Sequence, residues 1–253
     1  MSMFTKVKTK DEIVAIRESG KILAHILTVL SDQITDGMST KDIADIAKAE
    51  LKTTGGIPTF LGYYGFPDVI CISVNDEVVH GIPRRNKMIN KGDIVTLDFG
   101  VTYNGMITDS ALTVLVDSKN KQHIDLVKTT QQSLMDGINV VIDGVKVGDI
   151  SYAIEKTLNK GKYGIVRDLV GHGVGHILHE DPNIPNYGNK NTGPKLYSGM
   201  TIAIEPMATL GSYEVILDSD NWTMRTKDGS MAAHFEHTVL ITDEGAEIIT
   251  DRD

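Results

Sequence analysis

Asp98 and Asp109 stand on either side of an Asn104-Gly105 dipeptide, within a stretch (residues 92–116) that is otherwise rich in β-branched and apolar residues. Asn-Gly suits the two positive φ values of a type I′ hairpin turn. If those two residues form the loop, Tyr103 faces Met106, Gly100 faces Asp109 and Asp98 faces Ala111. Asp98 and Gly100 lie two apart and share a face, as do their cross-strand partners. The two carboxylates then become diagonal neighbours, roughly 7–8 Å apart at the backbone, with only a glycine between them. Carboxylates converging on one spot raise each other's pKa unless a cation sits among them. A divalent metal is the simplest such cation; a solvent-facing pair of turn aspartates is the alternative.

Three later segments offer compatible donors. Gly171-His-Gly-Val-Gly-His-Ile-Leu-His-Glu180 sets His172, His176 and His179 among three glycines, in a chain with 8 histidines. Neutral imidazole is a common metal donor, and glycine lets backbone approach a ligand closely. Thr201-Ile-Ala-Ile-Glu-Pro206 is a buried-type strand ending in Glu205, and Ala233-His-Phe-Glu-His-Thr-Val-Leu-Ile241 places Glu236 at the head of another apolar run. A glutamate in such a setting is unfavourable unless paired or metal-bound. The alternative is a strand that ends in solvent.

The surrounding elements must carry these groups to one place. Thr9-Lys-Asp-Glu12 is a capping box, and Ile13, Ile16, Leu23, Ile26, Leu27 and Leu30 follow at helical spacing as far as Asp36-Gly37. Ser39 opens a second helix that Gly55-Gly56 ends. An aromatic, glycine-rich loop (58–68) leads to a strand at 69–74, a connection over 75–90 and then the hairpin. The same order returns: a helix over 123–142, a second from Val147 to the region 161–164, and strands at 201–208, 213–217 and 234–242. Two helices then strands, twice, indicate an α+β fold of two related halves, roughly 1–118 and 119–253. Nothing resembling a linker separates them, so residues 1–253 read as a single catalytic domain.

Composition narrows the function. With 253 residues, 41% hydrophobic and 23% charged, the chain is ordinary globular material. A net charge of −9 with no basic block longer than Arg84-Arg85 argues against nucleic-acid readout. Cys71 is the only cysteine, which excludes an intrachain disulfide and fits a reducing compartment. Residues 1–8 lack an apolar core of signal-peptide length, and no stretch approaches the roughly 20 apolar residues of a membrane span. A cytoplasmic protein without membrane contact is expected.

Taken together, Asp98 eleven positions before Asp109, Gly-His172-Gly, Ile-Glu205-Pro and Glu236-His-Thr resemble the dispersed ligand pattern of the type I methionine aminopeptidases. Val79-His-Gly-Ile-Pro83 matches another segment of that family, and the resemblance covers nearly the whole chain. It implies the pita-bread fold, two pseudo-symmetric α+β halves around a central metal site. It further implies a metal set of Asp98, Asp109, His172, Glu205 and Glu236 holding two divalent ions, drawn from Co, Mn, Fe(II), Zn or Ni. Four carboxylates and one neutral imidazole carry −4, the charge that two such ions balance.

By the same resemblance the activity is metal-assisted removal of the initiator methionine from nascent peptides whose second residue is small, by a monomer that meets the ribosome transiently. His179 would stabilise the oxyanion, His80 would hold the scissile amide, and Glu205 would take a proton from the attacking water. Tyr63, Phe66, Cys71 and Trp222 would wall the methionine pocket, since aromatic and sulfur-bearing surfaces suit a thioether. His176 has no such role and reads as structural. The chain departs from the family pattern at Phe66, Leu178 and Gly100, where Tyr, Phe and Thr are usual.

Four other readings compete. Proline-specific aminopeptidases and dipeptidases share the five ligands but carry a further N-terminal domain. Type II methionine aminopeptidases insert a helical segment for which there is no room between His172 and Glu205. A non-enzymatic binding protein of the same fold would have lost ligands. A two-metal phosphoesterase would want Arg or Lys within two residues of Asp98, Asp109, Glu205 or Glu236, and none is there.

Overall fold

The computed structural model describes residues 4–252. Its first helix, α1 (Lys10–Gln33), begins at the expected capping box: the Thr9 hydroxyl accepts the Glu12 amide, and the Glu12 carboxylate accepts that of Thr9. α2 (Thr40–Leu51) starts with the same device from Ser39 and Asp42, and ends four residues before the glycine pair. Ile16, Leu23, Ile26, Leu27 and Leu30 of α1 are fully or nearly fully buried, the stripe that their spacing foretells.

These helices belong with a four-stranded antiparallel sheet of Ile57–Pro58, Ile94–Tyr103, Cys71–Val74 and Met106–Leu115. The central hairpin has the expected register: Tyr103 pairs with Met106, Gly100 with Asp109 and Asp98 with Ala111. Asn104 and Gly105 both take positive φ, 47° and 78°. α1 docks on this hairpin through a buried Ser19 hydroxyl that donates to the Val101 carbonyl at 2.9 Å. Gly20 lets α1 pass close to the C-terminal segment, because a Cβ there would stand 2.2 Å from the Ile249 carbonyl oxygen.

The second half repeats the order. α3 (Lys121–Ile138) stops four residues short of the expected end, and α4 (Val147–Gly161) closes at a left-handed Lys162 with φ 59°. Their companion is a five-stranded antiparallel sheet in the order Gly245–Ile248, His237–Thr242, Thr201–Ile204, Gly171–Gly173 and Glu180–Ile184.

Four expectations need correction. The strand expected over 201–208 is two strands, Thr201–Ile204 and Met207–Thr209, in different sheets. Pro206 has no amide to continue the ladder, so the chain changes sheets there. The strand expected over 234–242 is likewise divided into Ala232–His234 and His237–Thr242. The connection over 75–90 contains a strand, Glu77–Val79, too short for periodicity to reveal. The strand expected over 213–217 begins only at Val215 and pairs with Met224–Thr226, which in turn pairs with Glu77–Val79. Among the described residues no helix is long and apolar enough to cross a membrane.

Candidate metal centre

Strand pairing alone carries the acidic residues together. Cys71 pairs with Asp98, and Asp98 with Ala111. Ala111 in turn bridges to Glu236: the Glu236 amide donates to the Ala111 carbonyl at 2.9 Å, and the Ala111 amide returns the bond at 3.3 Å. Asp109 lies two positions from Ala111, so it presents its side chain on the same face. The Asp109 amide and carbonyl both bond the Thr238 hydroxyl, at 2.9 and 2.8 Å, which pins the hairpin to the second half. His172 pairs with Ala203 and Thr238 with Ala203, so the histidine-bearing strand joins the same array. His172 is thus on a strand, and not in a mobile glycine loop. Glu205 and Glu236 both sit at the strand breaks described above, where a bend frees the side chain to turn inward.

The result is one cavity of about 270 Å³. Asp98, Asp109, His172, Glu205, Glu236, His80, His179, Tyr63, Phe66, Cys71 and Trp222 all line it. No lysine or arginine lines it. Asp109, His172 and Glu236 each place a donor atom within 4.8 Å of the others. Oδ1 of Asp109 and Oε1 of Glu236 are buried without a hydrogen-bond partner.

Burial and mutual repulsion set the electrostatics of the four acids. Burial pushes the Asp98 carboxyl up to about 7. Burial and the neighbouring Asp98 push Asp109 well above the usual carboxylate range. Glu205 is raised by burial and by Asp109 and Asp98. Glu236 is raised by burial and by Asp109, Glu205 and Asp98.

His172 shows most directly what is needed. Its Nδ1 lies 2.9 Å from the Gly173 carbonyl, which can only accept, so the ring proton belongs on Nδ1. Nε2 then carries a lone pair, and it faces Oε1 of Glu205 at 3.4 Å. Burial and His179 hold the imidazole pKa down at about 3, so a second ring proton is not the remedy at neutral pH. Two electron-pair donors aimed at each other, beside partnerless carboxylate oxygens, fit a divalent cation.

The other histidines lie in different surroundings. His179 is exposed, and its Nδ1 lies 2.8 Å from the Tyr63 hydroxyl. His80 has φ 61° and a pKa lowered to about 4, by burial first and then by His179. That unusual backbone is held by its neighbour: a Cβ on Gly81 would stand 2.3 Å from the Ile72 carbonyl oxygen. His176 bonds the Glu12 carboxylate through Nε2 at 2.8 Å and so ties the hairpin-flanking α1 to its own segment.

The Phe60 ring packs over Gly100, 2.7 Å from where a Cβ would stand. Phe60 and Leu178 join Phe66 and Cys71 in one buried apolar cluster against which Tyr63 and Trp222 pack. The Phe66 and Trp222 rings meet edge to face with centroids 5.2 Å apart. Phe60, Tyr64, Val79 and His234 line the cavity without having been singled out. His234 was visible in principle: it lies two residues before Glu236, and strand alternation puts both on one side.

Comparison with known proteins agrees with this geometry. Residues 14–243 match the metallopeptidase family M24. The chain is 42% identical to the methionine aminopeptidase of Clostridium acetobutylicum, over 96% of this chain and 98% of that one. It is 44% identical to methionine aminopeptidase 1 of Bacillus subtilis, over 96% of this chain and 98% of that one. The crystal structure of methionine aminopeptidase from Thermotoga maritima superposes with a TM-score of 0.96 at 42% identity, over 98% of this chain and 100% of that one. A prolidase from Pyrococcus furiosus shares the fold alone, with a TM-score of 0.78 at 24% identity, over 98% of this chain and 66% of that one. The expected pita-bread architecture is therefore the observed one. The chain is a member of metallopeptidase family M24, on the branch formed by the methionine aminopeptidases.

Proposed function

We propose that this chain is a divalent-metal-dependent aminopeptidase that releases the N-terminal methionine of nascent peptides with a small second residue. The observation that carries this reading is the unprotonated Nε2 of His172 facing the Glu205 carboxylate at one end of a cavity whose walls are aromatic and sulfur-bearing. Asp98 and Asp109 would hold the ions from the hairpin, and His172, Glu205 and Glu236 from the other half, as one catalytic unit spanning residues 1–253. Four buried carboxylates and a neutral imidazole balance two divalent ions. When bound, the metal supplies Lewis acidity and a water acidified toward neutral pH.

The chain's own groups do the rest. With the Tyr63 hydroxyl donating to Nδ1 of His179, 2.8 Å away, that ring's proton would stand on Nε2, free to donate to the carbonyl oxygen as charge develops there. Desolvation against the cavity wall lowers the His179 pKa although part of the residue is open to solvent, which favours the neutral ring. His80, neutral for the same reason, holds the scissile amide nitrogen. Glu205, facing His172 in the same cavity, would accept the proton of the attacking water. Phe60, Phe66, Leu178 and Trp222 would enclose the methionine side chain, with Cys71, kept as a thiol by burial, at the floor. The single cysteine fits a reducing compartment such as the cytoplasm, where the chain would work as a monomer in passing contact with the ribosome.

The test is hydrolysis of Met-Ala-Ser against X-Pro peptides by protein loaded with Co, Mn, Fe(II), Zn or Ni. Free methionine from Met-Ala-Ser is expected. Release from X-Pro substrates alone would move the chain to the proline-specific branch, and no hydrolysis with any metal would make it a binding protein.

A further inference from the structure

His234 is 1% exposed, and both of its ring nitrogens are buried with no hydrogen-bond partner. Nearly all buried polar groups in folded proteins are paired, so an imidazole with two idle nitrogens calls for an explanation. Its backbone is firmly fixed. The His234 amide donates to the Thr113 hydroxyl at 3.0 Å, and that hydroxyl donates back to the His234 carbonyl at 2.6 Å. His234 also pairs with Met207, just past the Glu205-Pro206 break. The ring is therefore delivered to the cavity beside Glu205 by the hairpin on one side and by the strand after Pro206 on the other.

Glu205 stands between two imidazoles. Its Oε1 faces His172 Nε2 at 3.4 Å, and its Oε2 faces His234 Nε2 at 3.9 Å. We infer that His234 is a positioning residue for the metal centre: its ring N–H donates to Oε2 of Glu205 and thereby holds Oε1 toward His172 and the cation. The inference rests on Glu205 being a metal ligand. A carboxylate that ligates through one oxygen needs a donor on the other to stop it from rotating, and such partners of ligands tune both affinity and rate.

The experiment compares wild type, His234→Gln and His234→Leu, each stripped and then titrated with Co(II). Calorimetry gives affinity, the Co(II) d–d absorption gives coordination, and Met-Ala-Ser hydrolysis gives kcat and KM. Leucine removes the donor and is expected to weaken Co(II) binding and lower kcat by roughly 10–100-fold, with KM nearly unchanged. Glutamine, which restores an N–H of similar reach, is expected to recover most of both, with the wild-type d–d band. The metal-free leucine variant is expected to melt no lower than wild type, because it buries no idle polar atom. Equal Co(II) affinity and kcat in the leucine variant would overturn the inference. So would a glutamine variant whose d–d band changes shape, since His234 would then be a direct ligand. A wild type that binds Co(II) but cleaves nothing would sink the proposed function and leave this affinity comparison intact.

Discussion

Glu180 and Glu236 are equally hidden, each 2% exposed, yet their surroundings are opposite. Burial alone would raise the Glu180 pKa, but the Thr5 hydroxyl, the Lys8 ammonium and the His176 amide outweigh it and bring the carboxyl below its ordinary value. Lys8, itself buried, sits 3.2 Å away. Glu236 has Asp109, Glu205 and Asp98 for neighbours, one oxygen without any partner, and a pKa driven up. The same contrast holds for Glu77, which Arg225 and Lys87 flank. Evidently this fold can bring lysine or arginine into direct contact with a buried acid, whereas at the cavity the one arginine that bears on Glu236, Arg252, is hydrogen-bonded to the Ser110 hydroxyl and only partly offsets the acidic neighbours. A buried acid with its own cation is architecture; a buried acid among other acids reserves a place for a cation from outside.

The sharpest way to break this contrast is to remove an acid from the cavity. Asp109→Ala is expected to lose metal and to cut kcat/KM by at least about a thousandfold, ~4 kcal/mol. Elemental analysis and Met-Ala-Ser kinetics check it. Without metal, the same variant should melt higher than metal-free wild type, because one member of a repelling set is gone. Higher stability from a deletion at Glu180 would be incompatible with the distinction. There the complementary change, Lys8→Met, is expected to destabilise the fold by about 3 kcal/mol, leaving Glu180 buried alone. Denaturant unfolding measures it, and metal content should not move.

Much of the cavity was legible because its residues announce themselves locally. The Asn104-Gly105 turn fixes the hairpin register, and the register fixes which aspartates share a face. Glycine spacing and the Glu-Pro step flagged His172 and Glu205. The resemblance then joined segments that no local rule could join. What stayed hidden was short or tertiary: the three-residue strand Glu77–Val79, the two strand breaks, the Phe60 ring beside Gly100, and the idle imidazole of His234. Periodicity needs more than three residues to speak. The pairing of Ala111 with Glu236 depends on a contact 125 positions apart, which only the folded chain displays.

The histidines sharpen the contrast at a smaller scale. His172, buried and aimed at a carboxylate, is the ring proposed for the cation; His179, exposed and 2.8 Å from the Tyr63 hydroxyl, is the one proposed for the substrate. His179→Ala should therefore keep its metal and lose roughly 10²-fold in kcat. Loss of metal from that variant, read by elemental analysis, would erase the division between the two rings.

Acidity tests the whole cluster at once in metal-free protein. Asp98, Asp109, Glu205 and Glu236 have folded pKa values above their unfolded ones, so the folded state holds protons that the unfolded state gives up. Their contribution is favourable below the unfolded values near 4 and is lost as pH rises toward the folded ones, about 7 for Asp98. Stability of the metal-free protein should thus fall by on the order of 2 kcal/mol from pH 4.5 to 7. Saturating divalent metal should reverse that slope, because it favours the ionised cluster. A metal-free melting temperature that climbs over this range would mean that the acids are paired after all.

The smallest effect is expected where an acid is neither buried nor crowded. Arg17 grips Glu247 with two hydrogen bonds of 2.7 Å, better geometry than Lys8 achieves with Glu180, but the two side chains are 46% and 37% exposed. Water solvates both ions in the unfolded and folded states alike, and ordering two long side chains offsets much of the attraction. Arg17→Ala should therefore change stability by less than about 1 kcal/mol, and 1 M salt should erase most of that difference. The Lys8→Met effect should survive the same salt, since its partner is sealed from solvent. If the exposed pair proved worth as much as the buried one, bond length and not burial would govern these acids, and the partnerless oxygens of Asp109 and Glu236 would lose their meaning as a mark of the metal centre.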